Sequence, residues 1–351
     1  MNKKKLAAFM MAAVVAVVSC SGESEKSEPN PEQKPNTDVY DNPVAAVSLP
    51  DPTVIKGDDG YFYLYATEDI PNTPIFRSQN LVNWSQVGTA FTDRTRPKFV
   101  KDGGIWAPDI NKIGDKYVLF YSMSVWGGEW SCGIGIATAD KPQGPFTPYS
   151  KDPDTSDDQK GKLFISSEIG VQNSIDPCYV EDGGKKYLFW GSFSGLYAIE
   201  LDDTGLALAE GAKPVKVAGS LFEGAYVHKR GNYYYLFASK GTCCDGANST
   251  YTTVVGRAEN ILGPYLATDG TMLDNHFEYV VQRSQYFLGT GHNSELITDK
   301  NGDDWMLYHA YKADNIGAGR VLMLDRIDWS SDGWPTVRNL APSVRSVKPV
   351  F

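Results

Sequence analysis

Five polar residues stand at the start of similar segments, and their side chains could do chemistry. They are Asp51, Asp109, Asp176, Glu223 and His292. Hydrolysis of a glycosidic bond needs a carboxylic acid that protonates the leaving oxygen and a carboxylate, roughly 6.5 to 9.5 Å away in inverting enzymes, that activates water. A third carboxylate nearby would raise the pKa of the acid by like-charge repulsion. The chain therefore has the residue types for general acid–base hydrolysis if the fold brings them together.

The segments that carry these residues predict how they could meet. Each residue opens a short strand, which is followed by a turn and a second strand rich in aromatic residues. The five residues lie 58, 67, 47 and 69 positions apart. A degenerate repeat of about 50 residues built from hairpins is typical of β-propellers, whose first strands line the axis. No sustained helical periodicity follows the N-terminal segment. We predict an all-β, five-bladed β-propeller with blades over 51–91, 106–149, 173–217, 222–271 and 291–337.

The N-terminal segment has the pattern of a targeting signal. Three lysines precede an apolar stretch too short to span a bilayer, and Cys20 follows it. This looks like a bacterial lipoprotein signal over 1–19, with Cys20 acylated; an ordinary secretory signal is the alternative. The polar composition of 20–42 predicts a lipid-anchored flexible linker before one propeller domain over 43–351. Two glutamates soon after Cys20 are similar to the surface-export signals of Bacteroidetes lipoproteins. We expect an outer-membrane lipoprotein that faces the cell surface or the periplasm.

The charge of the chain limits its partners. The formal net charge is −10, and removal of residues 1–19 with their three lysines would make it −13. Such acidity disfavours nucleic acid and polyanionic glycans and fits a neutral substrate. The sequence has no Gly-rich phosphate loop before a helix, no His-Glu-x-x-His zinc motif and no Gly-x-Ser-x-Gly elbow. The pairing of the four cysteines after Cys20 stays open, although adjacent Cys243 and Cys244 could bond each other only through a strained ring.

Three acidic motifs, in order, resemble those of glycoside hydrolase family 43, a family of inverting five-bladed propellers. They are Asp51-Pro52, Asn173-Ser174-Ile175-Asp176-Pro177 and Phe222-Glu223-Gly224-Ala225-Tyr226. Within the family, three further stretches look like endo-1,5-α-L-arabinanases: Trp106-Ala107-Pro108-Asp109, Ser239-Lys240-Gly241-Thr242-Cys243-Cys244 and Gly289-Thr290-Gly291-His292-Asn293. The resemblance covers about residues 47 to 340. Two positions depart from it, since many arabinanases have His where this chain has Pro50 and Pro where it has Ala225.

The resemblance implies a role for each candidate residue. Asp51 would be the general base, Glu223 the general acid, and Asp176 the residue that orients Glu223 and tunes its pKa. His292 would help to hold one calcium ion that is coordinated mostly by water; the alternative is a hydrogen-bonded core histidine. Asp109 is expected to be structural or to face the substrate. The three other histidines are expected to be structural: His228, His276 and His309.

Sugar contacts are expected from aromatic faces and amide or hydroxyl groups near the axis. The expected residues are Trp106, Asn173, Ser174, Phe222 and Arg320, with Trp126 and Trp130 behind them. The alternative for the tryptophans is packing between blades. The implied activity is endo-acting, inverting cleavage of α-1,5-L-arabinofuranosyl linkages in arabinan or arabino-oligosaccharides by a monomer. The alternatives are an exo-acting arabinofuranosidase, an arabinobiose-releasing or xylosidase-type relative, and a non-catalytic surface glycan-binding lipoprotein.

Overall fold

Residues 38–351 are described by a computed structural model. The predictions for residues 1–37, which cover the signal, Cys20 and most of the linker, lie outside the described residues. The all-β prediction is confirmed, because the described chain contains one short α-helix, Ser166–Ile169, and otherwise strands and 3-10 turns. The 3-10 turns are Gly246–Asn248, Met272–Asp274, Ile316–Ala318 and Arg338–Leu340. None of the helices within residues 38–351 has the length and apolar character needed to cross a membrane.

Two short strands open the described chain, β1 (Val39–Asp41) and β2 (Ala45–Ser48). Strand β1 pairs with Arg345–Val347 near the C-terminus, and β2 joins a later sheet. Residues 39–42 belong to the predicted linker, yet Asn42 is buried and its Nδ2 donates to the Leu324 carbonyl oxygen at 2.9 Å. Ordered structure therefore begins before residue 43.

Three separate antiparallel sheets follow, and most of their neighbouring strands are adjacent in sequence. Strand group one is β3 (Thr53–Lys56), β4 (Phe62–Tyr65), β5 (Pro74–Ser78) and β6 (Ser85–Thr89). Strand group two is β7 (Gly104–Ile113), β8 (Lys116–Ser124), β9 (Gly133–Ala139), β10 (Thr147–Pro148) and β11 (Lys162–Ile165). Strand group three is β12 (Cys178–Asp182), β13 (Lys185–Trp190), β14 (Leu196–Leu201) and β15 (Val215–Ala218).

The remaining strands form one ten-stranded sheet rather than two separate ones. Strand group four is β16 (Phe222–Arg230), β17 (Tyr233–Lys240), β18 (Thr252–Ala258) and β19 (Glu278–Val281). Strand group five is β20 (Phe287–Gly291), β21 (Leu296–Thr298), β22 (Asp304–Lys312), β23 (Arg320–Trp329) and β24 (Pro335–Val337), together with β2. The last strand is β25 (Arg345–Val347). A single parallel pair, Thr252 with Thr290, joins groups four and five.

The aromatic runs in the sequence form the central strands β4, β8, β13, β17 and β22, and most of their residues are buried. A strand covered on both faces has a continuous apolar run rather than alternation, which explains the pattern. Buried apolar clusters lie between successive strand groups, so each group packs against the next. Each cluster contains residues of two successive groups, such as Tyr65 and Tyr121, Phe120 and Trp190, Phe189 and Leu236, Phe237 and Tyr308, and Phe62 and Leu307.

Candidate active site

A cavity of about 440 Å³ brings together three of the predicted site carboxyl groups, each from a different strand group. Asp51 precedes β3, Asp176 precedes β12 and Glu223 lies in β16, and all three side chains line the cavity with His292 and Arg320. Asp51, Asp176 and Glu223 are 8%, 5% and 7% exposed. The structure therefore brings together the three carboxyl groups that the sequence suggested, in a site largely shielded from solvent.

The backbone takes the same unusual conformation near the start of each strand group. A left-handed φ between 39° and 61° occurs at Asp51, Ala107, Asp176, Gly224 and His292. This region is sparsely populated by residues other than glycine. At four of the five positions the backbone N–H also donates to a side chain of the preceding group, so the positions are equivalent. In groups two and four the equivalent residues are Ala107 and Gly224, not Asp109 and Glu223. The alignment of Asp109 with the site residues was therefore wrong by two positions.

A side chain in or just after each central strand contacts the next group at or beside these positions. Thr67, Ser122 and Ser239 accept hydrogen bonds from the backbone N–H groups of Ala107, Asp176 and His292, at 2.7 to 2.8 Å. Ser192 donates to Oε2 of Glu223 at 2.7 Å. Nδ1 of His309 accepts from the N–H of Asp51 at 3.1 Å. We call these five the inter-group contacts; they hold the site residues in place.

Asp51 is surrounded by cationic and hydrogen-bonding groups. Arg320 donates from one nitrogen to both carboxylate oxygens, at 3.0 and 3.3 Å, and Thr67 donates to Oδ2 at 2.6 Å. Nδ1 of His292 and Nδ1 of His309 each lie 3.3 Å from Oδ1. Burial alone would raise the pKa of Asp51, but the Arg320 charge holds it well below its usual range. Asp51 is therefore ionised at neutral pH.

Glu223 and Asp176 have the opposite electrostatic character. Burial raises the pKa of Glu223 to about 6, against the lowering effect of its hydrogen bond from Ser192. Burial and the charges of Glu223 and Asp51 raise the pKa of Asp176 well above its ordinary value. Oδ2 of Asp176 accepts the Gly224 N–H at 3.1 Å, which ties it to the residue beside Glu223. The Asp176–Glu223 pair thus retains a proton at a pH where Asp51 has lost its own, as acid–base hydrolysis requires.

A sequence profile of glycosyl hydrolases family 43 matches residues 40–335. The chain belongs to glycosyl hydrolase family 43. It is 32% identical over 318 residues to an extracellular exo-α-(1→5)-L-arabinofuranosidase of Cellvibrio japonicus, covering 83% of this chain and 86% of that relative. It is 32% identical over 303 residues to an extracellular endo-α-(1→5)-L-arabinanase of Bacillus subtilis, covering 82% and 87%. The fold is similar to that of a Cellvibrio cellulosa α-L-arabinanase complexed with arabinohexaose, with a TM-score of 0.71, 29% identity and coverage of 83% and 95%.

The substrate residues predicted for this family 43 chain separate into two sets. Trp106 and Asn173 line the cavity, and the Trp106 ring packs against Trp126, with the centroids 5.5 Å apart. Trp126 is 79% exposed and also lines the cavity, so the two rings offer an apolar wall. Arg320 lines the cavity too, but its hydrogen bonds to Asp51 make it a partner of the carboxylate. Trp130 is exposed and lies outside the lining.

The other predicted substrate residues, Ser174 and Phe222, are fully buried and cannot contact a sugar. The Ser174 hydroxyl donates to the Val171 carbonyl and accepts from Nε1 of Trp190, so its hydrogen bonds are used within the fold. Phe222 packs in the apolar cluster between groups three and four. Phe222 directly precedes Glu223 on β16, so its side chain points to the opposite face of the strand.

Asp109 lies apart from the cavity. Its Oδ2 accepts from the Tyr179 N–H at 2.7 Å and from Nδ2 of Asn111 at 2.8 Å, and its charge interacts with Glu295. A register shift between Trp106 and Asp109 on β7 separates the two residues. The expected convergence of five polar residues therefore includes Asp51, Asp176, Glu223 and His292 but not Asp109.

Some site residues were not found from the sequence. His309 was expected to be structural, yet it contacts Asp51 directly. The spacing along the chain is a signal that could have identified it. In every group, the residue that makes the inter-group contact comes 15 to 17 positions after the left-handed residue of the same group; these residues are Thr67, Ser122, Ser192, Ser239 and His309. Cys243 and Cys244, whose pairing was left open, form a disulfide that lines the cavity, and Cys132 and Cys178 are free and buried.

The residues around His292 limit the kind of metal site that is possible. Calcium prefers six to eight oxygen ligands. Within residues 38–351, no group of three or more His, Cys, Asp or Glu side chains could hold a metal ion. Burial lowers the pKa of His292, so its ring is neutral and can offer one lone pair. This donor set fits a hydrated ion that takes most of its ligands from water, and it does not fit a closed protein cage.

Proposed function

We propose that this protein is an inverting hydrolase of α-1,5-L-arabinofuranosyl linkages in arabinan, and that it acts in the endo mode. The observation that carries the proposal is the placement of an ionised carboxylate, Asp51, and a proton-retaining pair, Asp176 and Glu223, on one shielded cavity. The similar proteins are named for their action on arabinan linkages, which supports this substrate class. The acidic surface and the tryptophan wall suit a neutral sugar.

The mechanism follows from the environments of the three carboxyl groups. Asp51 accepts a proton from water as the water attacks the anomeric carbon, and Arg320 and Thr67 hold its carboxylate in position. Glu223 protonates the leaving oxygen while Ser192 holds its other oxygen. Asp176 fixes the backbone beside Glu223 and, by its proximity, favours the protonated form of the pair. A single displacement of this kind inverts the anomeric configuration.

The decisive experiment measures reducing-sugar release from linear arabinan. Wild type should release sugar and Glu223→Gln should lose nearly all activity, because the amide cannot protonate the leaving oxygen. Glu200→Gln, at a surface ion pair with Lys185, is the matched control and should remain active. Products analysed early by NMR should be β-anomers; α-anomers would contradict inversion. A wild type that binds arabinan but releases nothing would establish a glycan-binding protein instead.

Exo action is the second candidate, since a relative 32% identical to this chain is an exo-arabinofuranosidase. The product profile over time separates the two modes. Short oligomers of mixed length early in the reaction would support endo attack, and one uniform product would support exo attack or release of arabinobiose. Branched arabinan, compared with linear arabinan, would show whether side branches block the cavity.

We also propose that the strand groups are the five blades of a propeller. Each apolar cluster joins one group to the next, and the fifth joins group five to group one. The N-terminal strand β2 completes group five, as expected for a ring closed by the chain start. Groups four and five share one residue pair, which is a small link between two blades. A crystal structure with a closed ring of five sheets would support this, and an open sheet would contradict it.

We further propose that one hydrated calcium ion binds beside His292 and supplies a positive charge near the carboxyl groups. Wild type should contain about one calcium per chain by elemental analysis, and a chelator should lower its Tm. His292→Ala should lose the ion, whereas His276→Ala, at a half-exposed ring, should keep it. Wild type free of calcium after dialysis against calcium buffer would contradict the proposal.

The location of the enzyme is proposed from residues 1–37. We propose a monomeric outer-membrane lipoprotein anchored through Cys20, and the extracellular relatives are consistent with export. In cells, wild type should partition into the detergent phase and Cys20→Ser into the aqueous phase. Equal partitioning of both would favour an ordinary secretory signal.

A further inference from the structure

The backbone of Asp51 is held by a buried side chain that the substrate cannot reach. Its backbone N–H donates to Nδ1 of His309 at 3.1 Å. His309 lies on β22 in group five, and its side chain is fully buried. It cannot touch the sugar or the attacking water, so any effect that it has on catalysis must pass through Asp51.

The other inter-group contacts show what is unusual about His309. Groups one to four use the hydroxyl of Thr67, Ser122, Ser192 or Ser239, in which the oxygen is bonded directly to Cβ. Nδ1 of histidine is one bond further from Cβ. The contact from group five back to group one is therefore made with a longer side chain, and a serine at position 309 would not be expected to reach the Asp51 N–H.

The imidazole is itself fixed. It stacks on the buried Tyr251 ring, with the centroids 5.5 Å apart and the planes at 8°. Burial lowers the pKa of His309 to about 4, so the ring is neutral at working pH and can accept a hydrogen bond. Because Nδ1 accepts the Asp51 N–H, the proton is assigned to Nε2, which has no hydrogen-bond partner among the described residues. The stacking on Tyr251 thus fixes the position of the acceptor.

Asp51 needs this support because of its backbone conformation. Its φ is 53°, in the left-handed region that costs a residue with a side chain roughly 1 kcal/mol or more. Without an acceptor for its N–H, the backbone could relax, and the carboxylate would move with it. Arg320 and Thr67 bind only the carboxylate and do not contact this N–H.

We propose that His309 is a positioning residue for the general base: by accepting the Asp51 N–H, it holds the left-handed backbone that aims the carboxylate at the attacking water. The inference rests on the proposed hydrolysis and deepens it. A misplacement of about 1 Å at a reacting group can cost about 100-fold in rate, so the expected effect is on kcat.

The test compares two replacements of His309. His309→Asn keeps an acceptor oxygen two bonds from Cβ, where Nδ1 stands, and His309→Leu has similar bulk without an acceptor. On a linear α-1,5-arabino-oligosaccharide, His309→Leu should lower kcat about 10- to 100-fold with little change in KM. His309→Asn should recover most of kcat. The control is His228→Asn, a half-buried histidine away from the cavity that stacks on Trp329, and it should leave kcat unchanged.

A second readout does not depend on turnover. Hydrogen exchange at the Asp51 amide should be slow in wild type and in His309→Asn, and faster in His309→Leu. Unchanged kcat in His309→Leu, or equal loss in both variants, would overturn the proposal. If His309→Leu does not fold, His309→Met, which also lacks the acceptor, takes its place. A wild type without activity would remove the proposed function, and amide exchange would still report whether His309 holds Asp51.

Discussion

At the residue scale, the charge of Asp51 depends on Arg320. One guanidinium nitrogen contacts both carboxylate oxygens, and both neighbouring imidazoles are neutral because burial lowers their pKa values. Arg320 is therefore the one full positive charge in contact with Asp51 among the described residues. A base must be ionised to act, so activity should fall as the pH drops through the pKa of Asp51. Its depressed pKa places this acidic limb at low pH.

Arg320→Gln should move the acidic limb to higher pH. The amide can still donate a hydrogen bond, but it carries no charge, so the ionised form of Asp51 is less stabilised. We expect a shift of about one pH unit or more in the profile of kcat/KM. Arg326→Gln, which removes a half-exposed ion pair with Asp303 and Asp328, is the control. An unmoved acidic limb in Arg320→Gln would show that Arg320 does not set the pKa of Asp51.

The sequence predicted Asp51, Asp176 and Glu223 because each lies in a short motif with a distinctive neighbour. It could not place Asp109, because the register shift on β7 moves that side chain from the cavity to Glu295. Nor could the sequence show that the Ser174 hydroxyl accepts a hydrogen bond from Nε1 of Trp190 and so is not free to bind a sugar. The two residues are 16 positions apart and lie in different local structures. Contacts of this kind depend on the packing of whole sheets.

At the element scale, the central strands were predictable from their apolar runs, whereas the loops between them were not. The segment 241–250 between β17 and β18 carries the Cys243–Cys244 disulfide to the cavity. Its Ser249 hydroxyl donates to the Thr242 carbonyl at 2.6 Å. Gly289 on β20 lies against this serine, with a left-handed φ of 62°. A side chain at position 289 would place its Cβ 2.2 Å from the Ser249 hydroxyl oxygen.

Gly289→Ala should lower Tm and also raise KM, because the added methyl group displaces the loop that forms part of the cavity wall. The conformational cost of a left-handed alanine is about 1 to 2 kcal/mol. Gly183→Ala isolates that cost, since Gly183 has a φ of 58° and a methyl group added there would enter open space. We expect a similar loss of Tm from conformation in both variants and an additional loss, with the rise in KM, in Gly289→Ala alone. Equal effects of both would mean that the Ser249 contact is not needed to hold the wall.

At the scale of the whole molecule, a buried carboxyl pair joins strand groups that are far apart in sequence. Glu295, before β21, accepts from the Thr53 hydroxyl at 2.7 Å and from the Val54 N–H at 2.8 Å. Asp109, on β7, accepts from the Tyr179 N–H on β12 and hydrogen-bonds to Glu295. Groups one, two, three and five thus meet at one pair. Burial and the charge of Glu295 raise the pKa of Asp109 well above its ordinary value, so the shared proton is assigned to Asp109.

This pair makes stability depend on pH in a defined direction. Burial and the charge of Glu295 raise the pKa of Asp109 well above its ordinary value, and burial raises the pKa of Glu295. A group whose folded pKa is raised stabilises the fold below its unfolded pKa, near 4, and loses that contribution as the pH rises through the folded value. The pair should therefore hold the groups together best in mild acid.

Asp109→Asn should flatten this dependence, because the amide donates to Glu295 at every pH and still accepts the Tyr179 N–H. We expect Tm of wild type to fall from mild acid to pH 8 and Tm of Asp109→Asn to fall less. Asp115→Asn, at an exposed turn, should follow wild type. If Asp109→Asn loses Tm as steeply as wild type, then ionisation of the pair does not affect the packing of the strand groups. In that case, the apolar clusters between the strand groups must hold them together without the pair.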